Sequence, residues 1–400
     1  MTIEQLFFEG QCKREQCQAR LSSAECSLSS IFYQLIQVAI GTRICLSHTP
    51  SADEWGELYA IAKKQSLVGV CFAGVQKTLS NSPFRSTGSG QVLGKDPSAI
   101  GMSELQYLTW MGMAAKIQQR NEIMNGYTHK ALTYFRAKGF PCQVLKGQGV
   151  AKLYGSLAGL RQSGDVDVWL SCGRKRLYDF ARKDFGKIEG LNYYHIHCPI
   201  IEDTVVEAHV WPSYLTNPFK NRKLHQFSIE YQPTVGCADT PDKVFDGVFI
   251  MLHCYRHFCG RGVGMRQVLD YYFVLKTLSD SPSKGEERVE VLKWIKALGM
   301  YRFATAMMWV LKDIFGLDEK YLICECNEKE GRFLLDEVMN TGNMGRGESR
   351  FKRDDSNAVL RFISNQRKNL HLLTHYPGEV CWSPFFNLAR YFWQLTVKKQ

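Results

Sequence analysis

Asp165-Val166-Asp167 runs on into Val168-Trp169-Leu170, so two carboxylates separated by one apolar residue open an alternating stretch. Period-two alternation of this kind marks a β-strand. Residues i and i+2 of a strand point to the same side, about 6.6 Å apart at a rise of ~3.3 Å per residue. Both acids therefore project together while Val166 and Val168 pack on the other side. Like charges held so close repel, and a bound divalent cation relieves the cost. The spacing alone thus places a sheet with a metal-binding face in the middle of the chain.

A third acid follows in the right form. Thr204 to Trp211, TVVEAHVW, is another strand candidate, in which Glu207 and His209 share a face. Set beside the first strand, Glu207 joins the aspartates in an oxygen-rich cluster, the donor set that hard cations such as Mg²⁺ favour. His209 serves either as a metal or proton-transfer group or as a hydrogen-bonded, half-buried histidine. Upstream, Phe140 to Leu145 reads as a short strand, followed by Lys146-Gly147-Gln148-Gly149 and an apolar helical pattern through Val150, Leu153 and Tyr154. Glycines between a strand and a helix let backbone N–H groups approach a phosphate at the positive end of the helix dipole. Lys146, beside that turn, either touches phosphate or lies along the surface. Strand, glycine turn, helix, Asp-x-Asp strand, acid strand: this order suits a nucleoside triphosphate and its metal.

The order resembles the DNA polymerase β-like nucleotidyltransferase superfamily, whose signature is a glycine turn, an Asp-x-Asp strand and a third acidic strand. More narrowly, the chain is similar to the bacterial family of uncharacterised nucleotidyltransferases. The shared pieces are Leu145-Lys146-Gly147, Arg161 shortly before Asp-x-Asp, Glu207-x-His209, and Gly262-x-Gly264-x-Arg266-x-x-x-Asp270. They span roughly Phe140 to Leu275, about a third of the sequence. Where the superfamily usually carries Gly-Ser in its turn, this chain has Lys146-Gly147-Gln148-Gly149. The resemblance implies that Arg161 contacts phosphate or the acid cluster, and that His209, Arg266 and Asp270 line the active site. From the residues alone, Arg161 equally holds Asp165, and Arg266 with Asp270 is an ordinary i,i+4 pair.

Other residues point less sharply. His253-Cys254 and His257-Phe258-Cys259 have a zinc-like spacing, but they lie in a strongly apolar helix without a second Cys/His pair, so zinc is not expected there. His195 and His197 share a strand face and read as a hydrogen-bonded surface pair. Fourteen scattered cysteines read as reduced thiols, which with a polar N-terminus from Met1 to Arg20 suggests a cytoplasmic protein. No apolar run approaches the ~20 residues of a membrane span. A net charge of +11 fits an anionic partner.

Helical periodicity dominates both flanks. Residues 1–138 read as an N-terminal helical region with a flexible Gly/Ser/Pro-rich loop at about 81–98, 139–235 as a nucleotidyltransferase core, and 236–400 as a C-terminal helical region. The segment Asn340 to Asp355 reads as a basic loop, either solvated or touching RNA or phosphate. The expected fold class is α+β, a small mixed sheet flanked by helices. The expected function is transfer of a nucleotidyl group from a nucleoside triphosphate to an acceptor hydroxyl on a small molecule, a protein or RNA, with pyrophosphate leaving. Asp165, Asp167 and Glu207 would hold two Mg²⁺ (or Mn²⁺) ions, and Lys146, Gly147, Gln148, Gly149 and Arg161 the nucleotide. Two other classes stay open: a catalytically inactive, nucleotide-binding regulator on the same scaffold, and an RNA-binding protein.

Overall fold

The computed structural model describes residues 27–81, 96–279, 284–351 and 358–398. Most of the loop expected at 81–98 lies outside them, as do Met1 to Arg20 and the basic residues Lys352 and Arg353. The chain is α+β. Helices α1 (Leu28–Ile40), α2 (Ala52–Lys64), α3 (Val68–Asn81) and α4 (Glu104–Ala137) lead into β1 (Cys142–Leu145) and the short α5 (Gly147–Ala151). Then come β2 (Val166–Leu170), α6 (Arg174–Phe185), β3 (His195–Cys198), β4 (Val206–His209) and α7 (Pro218–Glu230). The remainder is helical: α8 (Lys243–Cys259), α9 (Met265–Ser279), α10 (Lys284–Ala297), α11 (Tyr301–Trp309), α12 (Glu328–Thr341), α13 (Ala358–Leu372), α14 (Pro377–Val380) and α15 (Ser383–Lys398).

Two compact units divide the chain. The first takes in the described parts of Met1–Lys63 and Leu67–Lys116 together with Ile314–Gly316. Within it, α1 begins at Ser27, whose hydroxyl accepts from the Ser30 amide, and ends on Gly41 in the left-handed region. α3 approaches α1 so closely that a Cβ on Gly74 would lie 2.3 Å from the Leu35 carbonyl oxygen, which is why no larger residue fits there. Trp55 and Trp110 are fully buried and meet edge-to-face at 6.4 Å.

The second unit, Lys64–Ser66, Ile117–Asp313 and Leu317–Gln400, holds the sheet. Its strand order is β1-β2-β4-β3, with β2 and β4 parallel and the two outer pairs antiparallel. One face carries Val166, Val168, Leu170, Ile196, Cys198, Val206 and Ala208, and packs on Leu132 and Phe135 of α4 and on Leu177 and Ala181 of α6. Strand alternation sends the intervening residues to the opposite face. There Trp169 stacks on Phe245 of α8 at 4.8 Å, so helices of the C-terminal half cover part of the polar face. Among the described residues no helix is long and apolar enough to cross a membrane.

Candidate active site

The polar face of the sheet is assembled by register. In the parallel β2–β4 pair, Asp167 stands opposite Glu207 and Trp169 opposite His209. β3 then sets His195 opposite His209 and His197 opposite Glu207. β1 sets Leu145 opposite Asp167, which brings the next residue, Lys146, to the acids. Neighbouring strands lie ~4.8 Å apart, so these side chains form one contiguous polar patch.

Within the patch, His209 Nε2 lies 3.0 Å from Asp167 Oδ1 and 3.2 Å from Glu207 Oε2. Lys146 Nζ lies 3.1 Å from the same Asp167 oxygen. Asp167 is only 3 % exposed and His209 2 %. Burial opposes the charge on Asp167, but Lys146 and His209 hold its carboxyl well below the usual carboxylate range. Burial likewise works against a charged His209, and its hydrogen bonds to Asp167 and Glu207 outweigh that and raise it above its usual 6.5. For Lys146 the attraction of Asp167, Glu207 and Asp165 prevails over burial and raises it too. Two carboxylates are thus met by two basic side chains in a dry pocket, where each charge depends on the others.

The turn that delivers Lys146 is strained. Lys146 has φ 34° and ψ −149°, and Gly147 follows at φ 49°. A positive φ is costly for a lysine, and such outliers persist only where the surroundings impose them. Gln148 supplies part of that imposition. Its side chain is buried and donates to Asn121 O and to Asn125 Oδ1 at 2.6 Å, while Ser163 donates to its oxygen.

The model of the family described as uncharacterised nucleotidyltransferase matches residues 51–316. The chain belongs to this family. A general role in nucleotidyl transfer follows from the membership. No curated protein and no solved structure matches the chain.

The other residues of the expected motifs, Arg161, Arg266 and Asp270, lie in a second buried cluster. Arg161 grips Asp270 with both arms, Nε to Oδ1 at 2.6 Å and Nη2 to Oδ2 at 2.7 Å, and Tyr154 donates to the same carboxylate at 2.7 Å. Arg266 donates from Nη1 to the Gln162 carbonyl at 2.6 Å, and burial together with Arg161 lowers it. The two glycines of that motif allow a tight approach: a Cβ on Gly264 would lie 2.8 Å from the Asn343 backbone, and one on Gly262, at φ +124°, 2.9 Å from Thr341. Arg161, Arg266 and Asp270 therefore clamp the segment just before β2, from which Asp165 and Asp167 emerge.

Asp165 itself is exposed at the mouth, one residue before β2. With Gly164, Asp203, Thr204, Val205, His197 and Glu207 it lines a cavity of about 440 Å³. Among the described residues, the groups of three or more ligand-capable side chains within 4.8 Å of one another are Asp167, Glu207 and His209, and separately His195, His197 and Glu207; Asp165 is in neither set. Two carboxylates on adjacent strands with a third at the rim offer oxygen donors to a hard cation, so the chemistry of the donor set fits Mg²⁺.

Two participants were expected only as a hydrogen-bonded surface pair. His195 and His197 reach this face because β3 pairs with the strand of Glu207, and their i,i+2 spacing was the available signal. In the His/Cys group where zinc was not expected, His253 and His257 sit one turn apart on α8 with ring centres 4.4 Å apart, and burial pushes both well below the usual histidine value. Of the basic loop, Arg350 is held by Glu337 at 2.8 and 3.0 Å and by Glu348, and so is committed to carboxylates.

Proposed function

We propose that the chain moves a nucleotidyl group from a nucleoside triphosphate to an acceptor hydroxyl, with Asp165, Asp167 and Glu207 holding the divalent cations. The pairing of Asp167 with Glu207 on adjacent parallel strands, directly beneath Lys146, carries this reading. Bound Mg²⁺ supplies charge neutralisation for the triphosphate and makes the acceptor hydroxyl more acidic. The remaining work falls to protein groups. Lys146, paired with Asp167 Oδ1 at 3.1 Å, would turn its ammonium to the β and γ phosphates when Asp167 holds a cation. Glu207 accepts the proton of the acceptor hydroxyl, and His209, 3.2 Å away, holds that carboxylate in place. The acceptor oxygen forms its bond to the α-phosphorus as the bond to the leaving oxygen breaks, and pyrophosphate departs. Arg161 and Asp270 keep the approach to β2 rigid, a positioning role.

The test is turnover of labelled nucleoside triphosphate by Asp165→Asn and by Asp165→Asn with Asp167→Asn, alongside Mg²⁺-dependent thermal stabilisation. Both signals are expected to disappear. Their survival in the double variant refutes the assignment. ATP-induced stabilisation of the unaltered chain without pyrophosphate release would instead favour a nucleotide-binding regulator. RNA affinity that falls steeply with salt would favour an RNA-binding role.

A further inference from the structure

The polar face extends past the paired acids to β3, where two histidines and a shared glutamate meet. We propose that His195, His197 and Glu207 form a binding site for a borderline divalent transition-metal ion, with Zn²⁺ the ion that the donors fit best. Two imidazole nitrogens and one carboxylate are the donor types from which three-ligand zinc sites are built, and they select against Mg²⁺.

The geometry supports this in three ways. First, the three donor atoms all lie within 4.8 Å of one another. His195 Nδ1 lies 3.1 Å from Glu207 Oε2 and His197 Nε2 lies 3.8 Å from Glu207 Oε1. Tetrahedral zinc with bonds of ~2.0–2.1 Å separates its ligand atoms by roughly 3.3 Å. Second, His195 is only 6 % exposed, yet its Nδ1 makes no hydrogen bond although it faces that carboxylate oxygen. A buried nitrogen left without a partner beside a carboxylate oxygen is costly, and a cation bonded to both would satisfy it. Third, the ring of His197 is held in place. Gly190, at φ +55°, lies against it so closely that a Cβ would come 2.1 Å from the ring, and the His197 amide donates to the Glu189 carbonyl at 2.9 Å.

His209 is not part of this set, since its Nε2 is already engaged by Asp167 and Glu207. His197 and Glu207 also line the cavity, so solvent reaches this donor set from that side. Because Glu207 belongs to both donor sets, zinc here competes with the cations of the transfer reaction on the reading proposed above. The binding itself does not depend on that reading.

The experiment uses the full chain stripped with EDTA, without nucleotide. Co²⁺ is added and its visible d–d absorption recorded, and Zn²⁺ affinity is measured by competition with a chromophoric chelator. One ion is expected to bind with a Kd at or below roughly 10 µM. His197→Gln and His195→Asn are expected to weaken it at least about tenfold, since even indirect partners of a metal are worth that much. Asp167→Asn is expected to weaken it less than His197→Gln does, as that side chain is outside the donor set and reaches Glu207 only through His209. His197 is part-exposed, so its variant tests the proposal even if His195→Asn fails to fold, and melting in EDTA verifies the fold. No Zn²⁺ binding, or unchanged affinity in His197→Gln, overturns the site. Loss of binding in Asp167→Asn with retention in His197→Gln overturns it too, by placing the ion on Asp167, Glu207 and His209. None of these results touches the turnover assay of Asp165→Asn, so the two proposals fail separately.

Discussion

Replacing Asp270 by alanine strands a guanidinium in the protein interior. Arg161 is 3 % exposed and Asp270 5 %, and the carboxylate takes hydrogen bonds at 2.6 and 2.7 Å from Arg161 and at 2.7 Å from Tyr154. Three charge-assisted bonds at about 1.5–3 kcal/mol each would sum to roughly 4.5–9 kcal/mol, an upper bound because the cavity relaxes and admits water. Breaking one partner of a buried pair costs about 3–5 kcal/mol, the figure expected here. For a unit of almost 300 residues, at ~2.1 cal/mol/K of unfolding entropy per residue, that corresponds to a fall in Tm of roughly 5–8 °C. The assay is urea unfolding followed by tryptophan fluorescence. Arg161→Met added to Asp270→Ala removes the stranded charge and is expected to regain at least about 1 kcal/mol relative to Asp270→Ala alone. A loss below about 1 kcal/mol in Asp270→Ala, or a double variant weaker still, would refute the view that this pair is a buried clamp.

Two further outcomes follow from the same structure. His209 is raised above 6.5 by Asp167 and Glu207, so its contribution to stability is full below pH 6.5 and is lost as pH climbs through the higher folded value. The urea midpoint is expected to fall between about pH 6 and about pH 9 more steeply in the unaltered chain than in His209→Gln, and equal slopes would contradict the linkage. Gly264→Ala forces a methyl to within 2.8 Å of the Asn343 backbone, so it is expected to destabilise by about 1–3 kcal/mol, and an unchanged urea midpoint would show that the turn can yield.

Much of the fold was legible along the chain. The helical pattern from Ser103 to Ala137 meets α4 at Glu104–Ala137, and the alternation around Asp167 and Glu207 marks β2 and β4. Those signals are strong because they repeat within a few residues. The face that each acid occupies follows from the same alternation, since neighbouring valines and alanines must be buried.

Partners across the sheet were another matter. Arg161 was expected at the phosphate or the acids, and Asp270 as an i,i+4 partner of Arg266, yet the two pair with each other 109 positions apart. Gln148 was expected at the nucleotide and is tied to α4. His195 and His197 gained their place only through the register of β3 on β4.

What the chain's own order determined was periodicity: where strands and helices run, and which side chains share a face with Asp167 and Glu207. What the tertiary structure alone decided was company, namely that Lys146 and His209 meet Asp167 and that Asp165 stays at the rim. Alternation is a property of adjacent residues, whereas charge state and coordination depend on desolvation and on groups brought from tens of positions away.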